Sequence, residues 1–248
     1  MILPRRDALR DAVLDGIALL LPVECAGCGA PDRPVCAACR PALAPDPSSR
    51  RLDDGTPVFS GLDYDGVARE VLLAYKEQGR TELVRFLAPA LAAAVSAAVT
   101  AVSEVVPGPV PLAVDASGSR PLELVSVPGT RRARRRRGFD PVAGLVSRAG
   151  LDRARVLAPA RPHPAQKTLS LEKRAANLSG IFTVRAPVAG RRFLLVDDVV
   201  TTGATLLAVA EALRASGAEV VGAAAVASTP RLYGSSIGLH RERSVTYP

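Results

Sequence analysis

Residues 193–205 read Phe193-Leu194-Leu195-Val196-Asp197-Asp198-Val199-Val200-Thr201-Thr202-Gly203-Ala204-Thr205, and the fold turns on this stretch. Its first four residues form a continuous apolar run with no polar alternation, the pattern of a parallel strand covered on both faces. The run stops at Asp197 and Asp198. The spacing therefore predicts that both carboxylates stand where the strand leaves the sheet, the edge at which open α/β folds bind ligands. A small, hydroxyl-bearing turn follows, and then a helical pattern from about Leu206 to Ser216, which Gly217 ends.

The chemistry of such a turn is specific. A helix start exposes backbone N–H groups and the positive end of the helix dipole, so it can hold a phosphate without any cationic side chain. Gly203 permits close backbone approach, and Thr201, Thr202 and Thr205 offer hydroxyls. The two carboxylates upstream can accept hydrogen bonds from vicinal ribose hydroxyls or hold a cation such as hydrated magnesium. Phosphate at one end and diol at the other describe a ribose 5-phosphate. A buried strand ending in solvated acids before a capped helix would give the same local pattern. A nucleotide hydrolase is excluded as far as motifs go, because the sequence has neither G-x-x-x-x-G-K-[ST] nor G-x-G-x-x-G.

The 248 residues, at 48% hydrophobic content, suffice for one sizeable α/β core and a small appendage. A net charge of +8 favours anionic partners, either phosphorylated small molecules or nucleic acid. Near the N-terminus, Leu9, Val13, Ile17 and Leu20 recur on one face of an amphipathic helix closed by Pro22. Asp11 and Asp15 interrupt it, so it makes a poor signal peptide. No run is read as reaching membrane-spanning length. A cytoplasmic protein without membrane insertion is the expectation.

All four cysteines fall close together, as Cys25-x2-Cys28 and Cys36-x2-Cys39. Two such knuckles supply four thiolates at a spacing suited to tetrahedral zinc, with a closed coordination shell and hence a folding role. Disulfides or a redox pair are the alternatives, disfavoured by compartment and context. Residues 41–56, rich in Pro, Ser, Arg and Asp, read as a linker. The expected division is 1–50 for the helix and zinc module and 51–248 for the α/β domain.

Along that domain, 57–64 is a short strand or hairpin arm, and a helix ends at Tyr75, Lys76 and Gly79. An Ala-rich helix from about Thr81 to Val106 should approach a neighbour closely, with a possible kink at Pro89. Residues 107–121 read as a loop and Leu122–Val127 as a strand, which runs into Arg131, Arg132, Arg134, Arg135, Arg136 and Arg137. As a loop beside the acidic strand, this tract would face the same crevice, with the first two or three guanidiniums nearest; a solvated basic patch is the alternative. Gly138 to Ala149 reads as helix, with short strands at 156–158 and 181–184. Between those strands lies a polar, Pro-bearing segment that reads as a lid carrying Gln166, Lys167, Arg174 and Asn177. His163 and His240 are expected to be solvated. Glu219–Ala227 is the last strand. Alternation of strand and helix implies a parallel sheet.

Residues 193–205 look like the phosphoribosyl pyrophosphate signature of type I phosphoribosyltransferases, and the whole order resembles the ComF family. The matching features are the four cysteines, Tyr75-Lys76, the Arg-rich stretch ending in Gly138-Phe139, Gln166 to Leu169, Arg174 with Asn177, and residues 193–205. Where that family has Asn-Gln after the arginines, this chain has Asp140-Pro141, and Val-Pro-Gly replaces Pro-Val-Pro before them. The resemblance implies an α/β fold, a type I phosphoribosyltransferase-like parallel sheet flanked by helices, with a small N-terminal four-cysteine zinc module. It implies phosphoribosyl pyrophosphate with Mg2+ as ligand, and transfer of ribose 5-phosphate to an acceptor. Asp197 and Asp198 would be catalytic. Val199, Thr201, Thr202, Gly203, Ala204, Thr205, Arg131, Arg132, Lys167 and Arg174 would hold the substrate. DNA uptake is the implied setting, with single-stranded DNA or a DNA-uptake helicase as partner. The same fold acting as a non-catalytic single-stranded DNA-binding protein is the other reading.

Overall fold

The structure, a computed structural model, describes residues 23–105, 121–129, 131–159 and 182–229, with backbone alone at 104, 105, 131, 132 and 134. The strands are β1 (Ser48–Arg51), β2 (Pro57–Asp63), β3 (Leu122–Ser126), β4 (Leu157–Pro159), β5 (Phe182–Val184), β6 (Arg192–Val200) and β7 (Glu219–Ser228). The helices are α1 (Gly66–Glu77), α2 (Val84–Val105), α3 (Arg131–Arg137), α4 (Pro141–Arg148) and α5 (Ala204–Ala215). The main sheet has the order β1-β2-β7-β6-β3, parallel except for β1, and β4 and β5 form a separate antiparallel ribbon. The expected N-terminal helix, the expected 107–121 loop apart from residue 121, and the segment read as a lid with Gln166, Lys167, Arg174 and Asn177 lie outside the described residues, as do His163 and His240.

The apolar run of β6 is buried on both faces, as its lack of alternation requires. Leu194 and Val196 join the core beneath α1, α2 and α4, while Phe193 and Leu195 join the core against α5 and the β4–β5 ribbon. All four side chains are fully buried, each contributing about 2 kcal/mol of transfer free energy.

Three local expectations are corrected. First, β6 does not stop at the acids. It continues to Val200, because β7 still offers partners: Asp197 is in register with Ala225 and Val200 with Ser228. On its other side β3 ends opposite Val196, so the crevice opens there. Second, residues 41–56 are not a plain linker. They include most of a one-turn 3-10 helix, Arg40–Leu43, and the edge strand β1, which pairs antiparallel with β2. Third, the arginine tract is the short helix α3 rather than a loop. Arginine is a good helix former, and Gly138, at φ 74, supplies the left-handed stop.

The Ala-rich α2 lies on β2 and β7, where Ala224 and Ala227 of β7 share its core and add little bulk beneath it. A Cβ placed on Gly61 of β2 would stand 2.1 Å from the Ala90 carbonyl oxygen of α2. The expected close approach is therefore real. Thr81–Ser103, at mean hydropathy 1.9, is long and apolar enough to cross a membrane by length and composition, contrary to the expectation of no such run. Its Leu87, Ala90, Leu91, Ala94 and Ala98 are buried against the sheet, so alanine raises hydropathy here in the service of close packing.

Candidate functional site

The C-terminal edges of β2, β3, β6 and β7 meet at the acid pair. Asp198 is 5% exposed, and Lys76 at the end of α1 donates to its Oδ1 at 2.8 Å. Asp197 is half-buried and accepts the Asp198 N–H at 2.8 Å. Gly79, at φ 72, ends helix α1, and near that end the Tyr75 hydroxyl donates to the Pro141 carbonyl at 2.8 Å, with Gly144 leaving room for it. Asp140 accepts the Ala143 N–H at 3.1 Å as N-cap of α4, with Pro141 in the first turn. The departure from the family's Asn-Gln is thus a well-formed helix start that anchors Tyr75.

Burial and the charge of Asp198 push the Asp197 carboxyl up to about 7, against the opposing pull of the Asp198 N–H and Lys76. The native state then keeps a proton that an unfolded aspartate releases near pH ~4. Stability from this group is fully present below that value and is lost as pH rises through about 7. The melting temperature of the wild type is expected to fall between pH 5 and 8 relative to that of Asp197→Asn. Parallel curves for the two proteins would exclude this.

Downstream, Thr201, Thr202 and Thr205 are exposed, and Gly203, at φ 82, caps α5 in the left-handed region. A side chain at Gly203 would collide with Leu52, which follows β1 and closes the turn from beneath. The hydroxyl of Thr202 accepts the Ala204 N–H at 3.3 Å. The turn's outer face is open among the described residues.

The arginine helix leaves β3, the neighbour of β6, as placement required. Arg136 and Arg137 pair with Glu77 at 2.6 and 2.5 Å, so adjacent residues of α1 hold the acid pair and the basic helix. Arg131 and Arg132 sit in the first turn of α3. Beside β3 lies a cavity of about 330 Å3 whose lining includes Arg137, Phe139, Arg153 and Arg155. Arg153 donates to Ser126 Oγ at 2.5 Å. Glu77, Arg50 and Arg153 belong to no local motif, so nothing along the chain singles them out.

The four cysteine Sγ atoms lie within 4.8 Å of one another, and none forms a disulfide. Tetrahedral bonds of ~2.3 Å would space sulfurs roughly 3.8 Å apart. The Cys36 N–H donates to Cys25 Sγ at 3.3 Å, and Gly27 lets Cys39 Sγ and Val67 of α1 approach. Burial raises the Cys25 thiol, but the N–H groups of Cys36, Gly27 and Cys28 outweigh it and bring the thiol down to about 6. Burial and the neighbouring thiols push Cys39 up to about 12. Such a cluster needs a cation to ionise completely, and it could hold a structural zinc.

Residues 148–238 match the phosphoribosyl transferase domain, so the acid strand and threonine turn are those of a phosphoribosyltransferase-type domain. The chain is similar to DNA utilization protein YhgH of Escherichia coli K12, 37% identical over 112 residues, 41% of this chain and 47% of that protein. With the matched domain and the four neighbouring cysteines, this upholds the resemblance to the ComF family. Orotate phosphoribosyltransferase of Streptomyces avermitilis is 39% identical over 90 residues, covering 36% of this chain and 44% of that protein. Adenine phosphoribosyltransferase of Treponema pallidum is 58% identical over 45 residues, covering 18% and 24%. The chain spans about half the length, 47%, of the DNA utilization protein it matches.

Proposed function

We propose that this chain binds phosphoribosyl pyrophosphate with magnesium at the end of β6 and transfers ribose 5-phosphate to an acceptor, in a pathway of DNA utilization. The observation that carries it is the open threonine turn directly after the half-buried Asp197 and buried Asp198, inside the stretch matched by the phosphoribosyl transferase domain. The turn's N–H groups and Thr201, Thr202 and Thr205 take the 5-phosphate, with Val199, Gly203 and Ala204 shaping the backbone. Asp197 and Asp198 take the ribose hydroxyls and favour positive charge at C1. The C1–O bond to pyrophosphate breaks with its electron pair leaving on pyrophosphate, and the acceptor's lone pair forms the new bond at C1. Arg131 and Arg132, with Lys167 and Arg174 of the lid, neutralise the leaving group. Magnesium, when bound, supplies further neutralisation of the pyrophosphate. The four-cysteine cluster holds zinc in a folding role, and the protein works in the cytoplasm.

Calorimetric titration with phosphoribosyl pyrophosphate and magnesium tests this. Saturable binding and a raised melting temperature are expected, both lost in the Asp197→Asn, Asp198→Asn double variant, followed by pyrophosphate release with the right acceptor. A wild type that shows no heat and no shift would end the reading. The exposed Arg135 and Arg136 of α3 favour a second reading, a non-catalytic single-stranded DNA-binding protein. DNA affinity that is undetectable at low salt, or unchanged when Arg134 to Arg137 become Ser, would remove it.

A further inference from the structure

We propose that Arg50, on the edge strand β1, is a positioning residue that turns the N–H groups of the threonine turn toward the ligand and favours a phosphate dianion there. This rests on reading that turn as the ribose 5-phosphate site.

Arg50 lies outside the stretch matched by the domain, 151 residues from its partner in the chain. Its register partner is Val58, whose side chain is buried in the core against α5, and residues paired across a ladder share a face. That placement sends the guanidinium beneath the turn. Its Nη2 donates to the Thr201 carbonyl at 2.6 Å and, more weakly, to the Val200 carbonyl at 3.4 Å. Thr229, just past β7, donates to the same two carbonyls, its N–H to Val200 at 3.0 Å and its hydroxyl to Thr201 at 3.4 Å.

Two successive carbonyls are therefore held inward. In a trans peptide the C=O and the following N–H point in opposite directions. The N–H groups of Thr201 and Thr202 consequently face away from Arg50 and Thr229, and within the described residues neither makes a hydrogen bond. Both residues are exposed. Outward N–H groups fixed from behind form an anion-binding concavity, and the guanidinium that fixes them never loses its charge. A phosphate monoester takes its second charge near pH ~6, so a permanent cation behind the site favours the dianion.

The test is calorimetric titration of ribose 5-phosphate into wild type, Arg50→Gln and Arg50→Lys at pH 5.5 and 7.5. The other charged groups on the surrounding elements are the same in all three proteins: Asp53 and Asp54 in the hairpin turn, Arg214 on α5, and Asp197, Asp198 and Lys76. Differences between the proteins therefore report position 50. Arg50→Gln is expected to bind about 10- to 100-fold more weakly at pH 7.5 and to lose most of the wild type's gain from pH 5.5 to 7.5. Arg50→Lys should keep that gain, since the charge remains, while binding more weakly at both pH values because an ammonium lacks the planar fork. Should Arg50→Gln lack a melting transition, Arg50→Lys decides alone. Either variant matching the wild type in affinity and pH response overturns the inference and leaves the proposed function standing. A wild type that does not bind ribose 5-phosphate overturns the reading of the turn and the inference with it.

Discussion

Cys39→Ser is expected to be the most damaging single substitution in the N-terminal module. The purified wild type should carry one equivalent of zinc, and the variant should lose it together with several kcal/mol of stability, since structural zinc supplies folding free energy directly. The loss would not stay local. Cys25, Val35, Cys39 and Leu43 share one core with Leu72 and Tyr75 of α1 and Leu87 and Leu91 of α2. Loosening the knuckles would unseat α1, whose last residues, Lys76 and Glu77, hold Asp198 and the arginine helix. Metal analysis by mass spectrometry and thermal unfolding with and without a chelator read both effects. A metal-free preparation with an unchanged melting temperature would refute the zinc assignment.

Gly61→Ala is the second large effect. A methyl group there meets backbone of α2, with the Ala90 carbonyl oxygen at 2.1 Å and its carbonyl carbon at 2.6 Å, so no rotamer change relieves it. Helix α2 must lift off β2, thinning contacts along Leu83, Leu87, Ala90 and Leu91. A loss of about 3 kcal/mol is expected, at the upper end for overpacking a core. Urea denaturation should show a lower midpoint with an unchanged slope. Gly129 provides the comparison, because among the described residues a Cβ there meets nothing within 4 Å, and Gly129→Ala should leave the midpoint in place. Equal midpoints for Gly61→Ala and wild type would show that α2 does not press on the sheet as described.

The features legible in the sequence are those encoded over a few neighbouring residues. Phe193 to Val196 announces a strand buried on both faces, because only such a strand dispenses with polar alternation. The cysteine spacing announces a cluster, because two-residue gaps bring thiols together in a tight turn. The Ala-rich run announces close packing. By contrast, the edge strand β1 was hidden by Ser48, Ser49, Arg50 and Arg51, polar residues that suit an exposed edge as well as a linker. The helical form of Arg131–Arg137 was hidden by its charge, which the Glu77 carboxylate offsets from another element.

Hydrophobic periodicity and turn chemistry act along the chain, so residues 193–205 alone announce a buried parallel strand carrying two acids near its end, a threonine turn and a helix. That Lys76 holds Asp198 and Arg50 braces the turn follows from three-dimensional packing alone, across separations of 122 and 151 residues. Those pairings depend on which strands lie side by side. Strand order is set by the joint packing of helices on both faces of the sheet, which no short stretch of residues specifies.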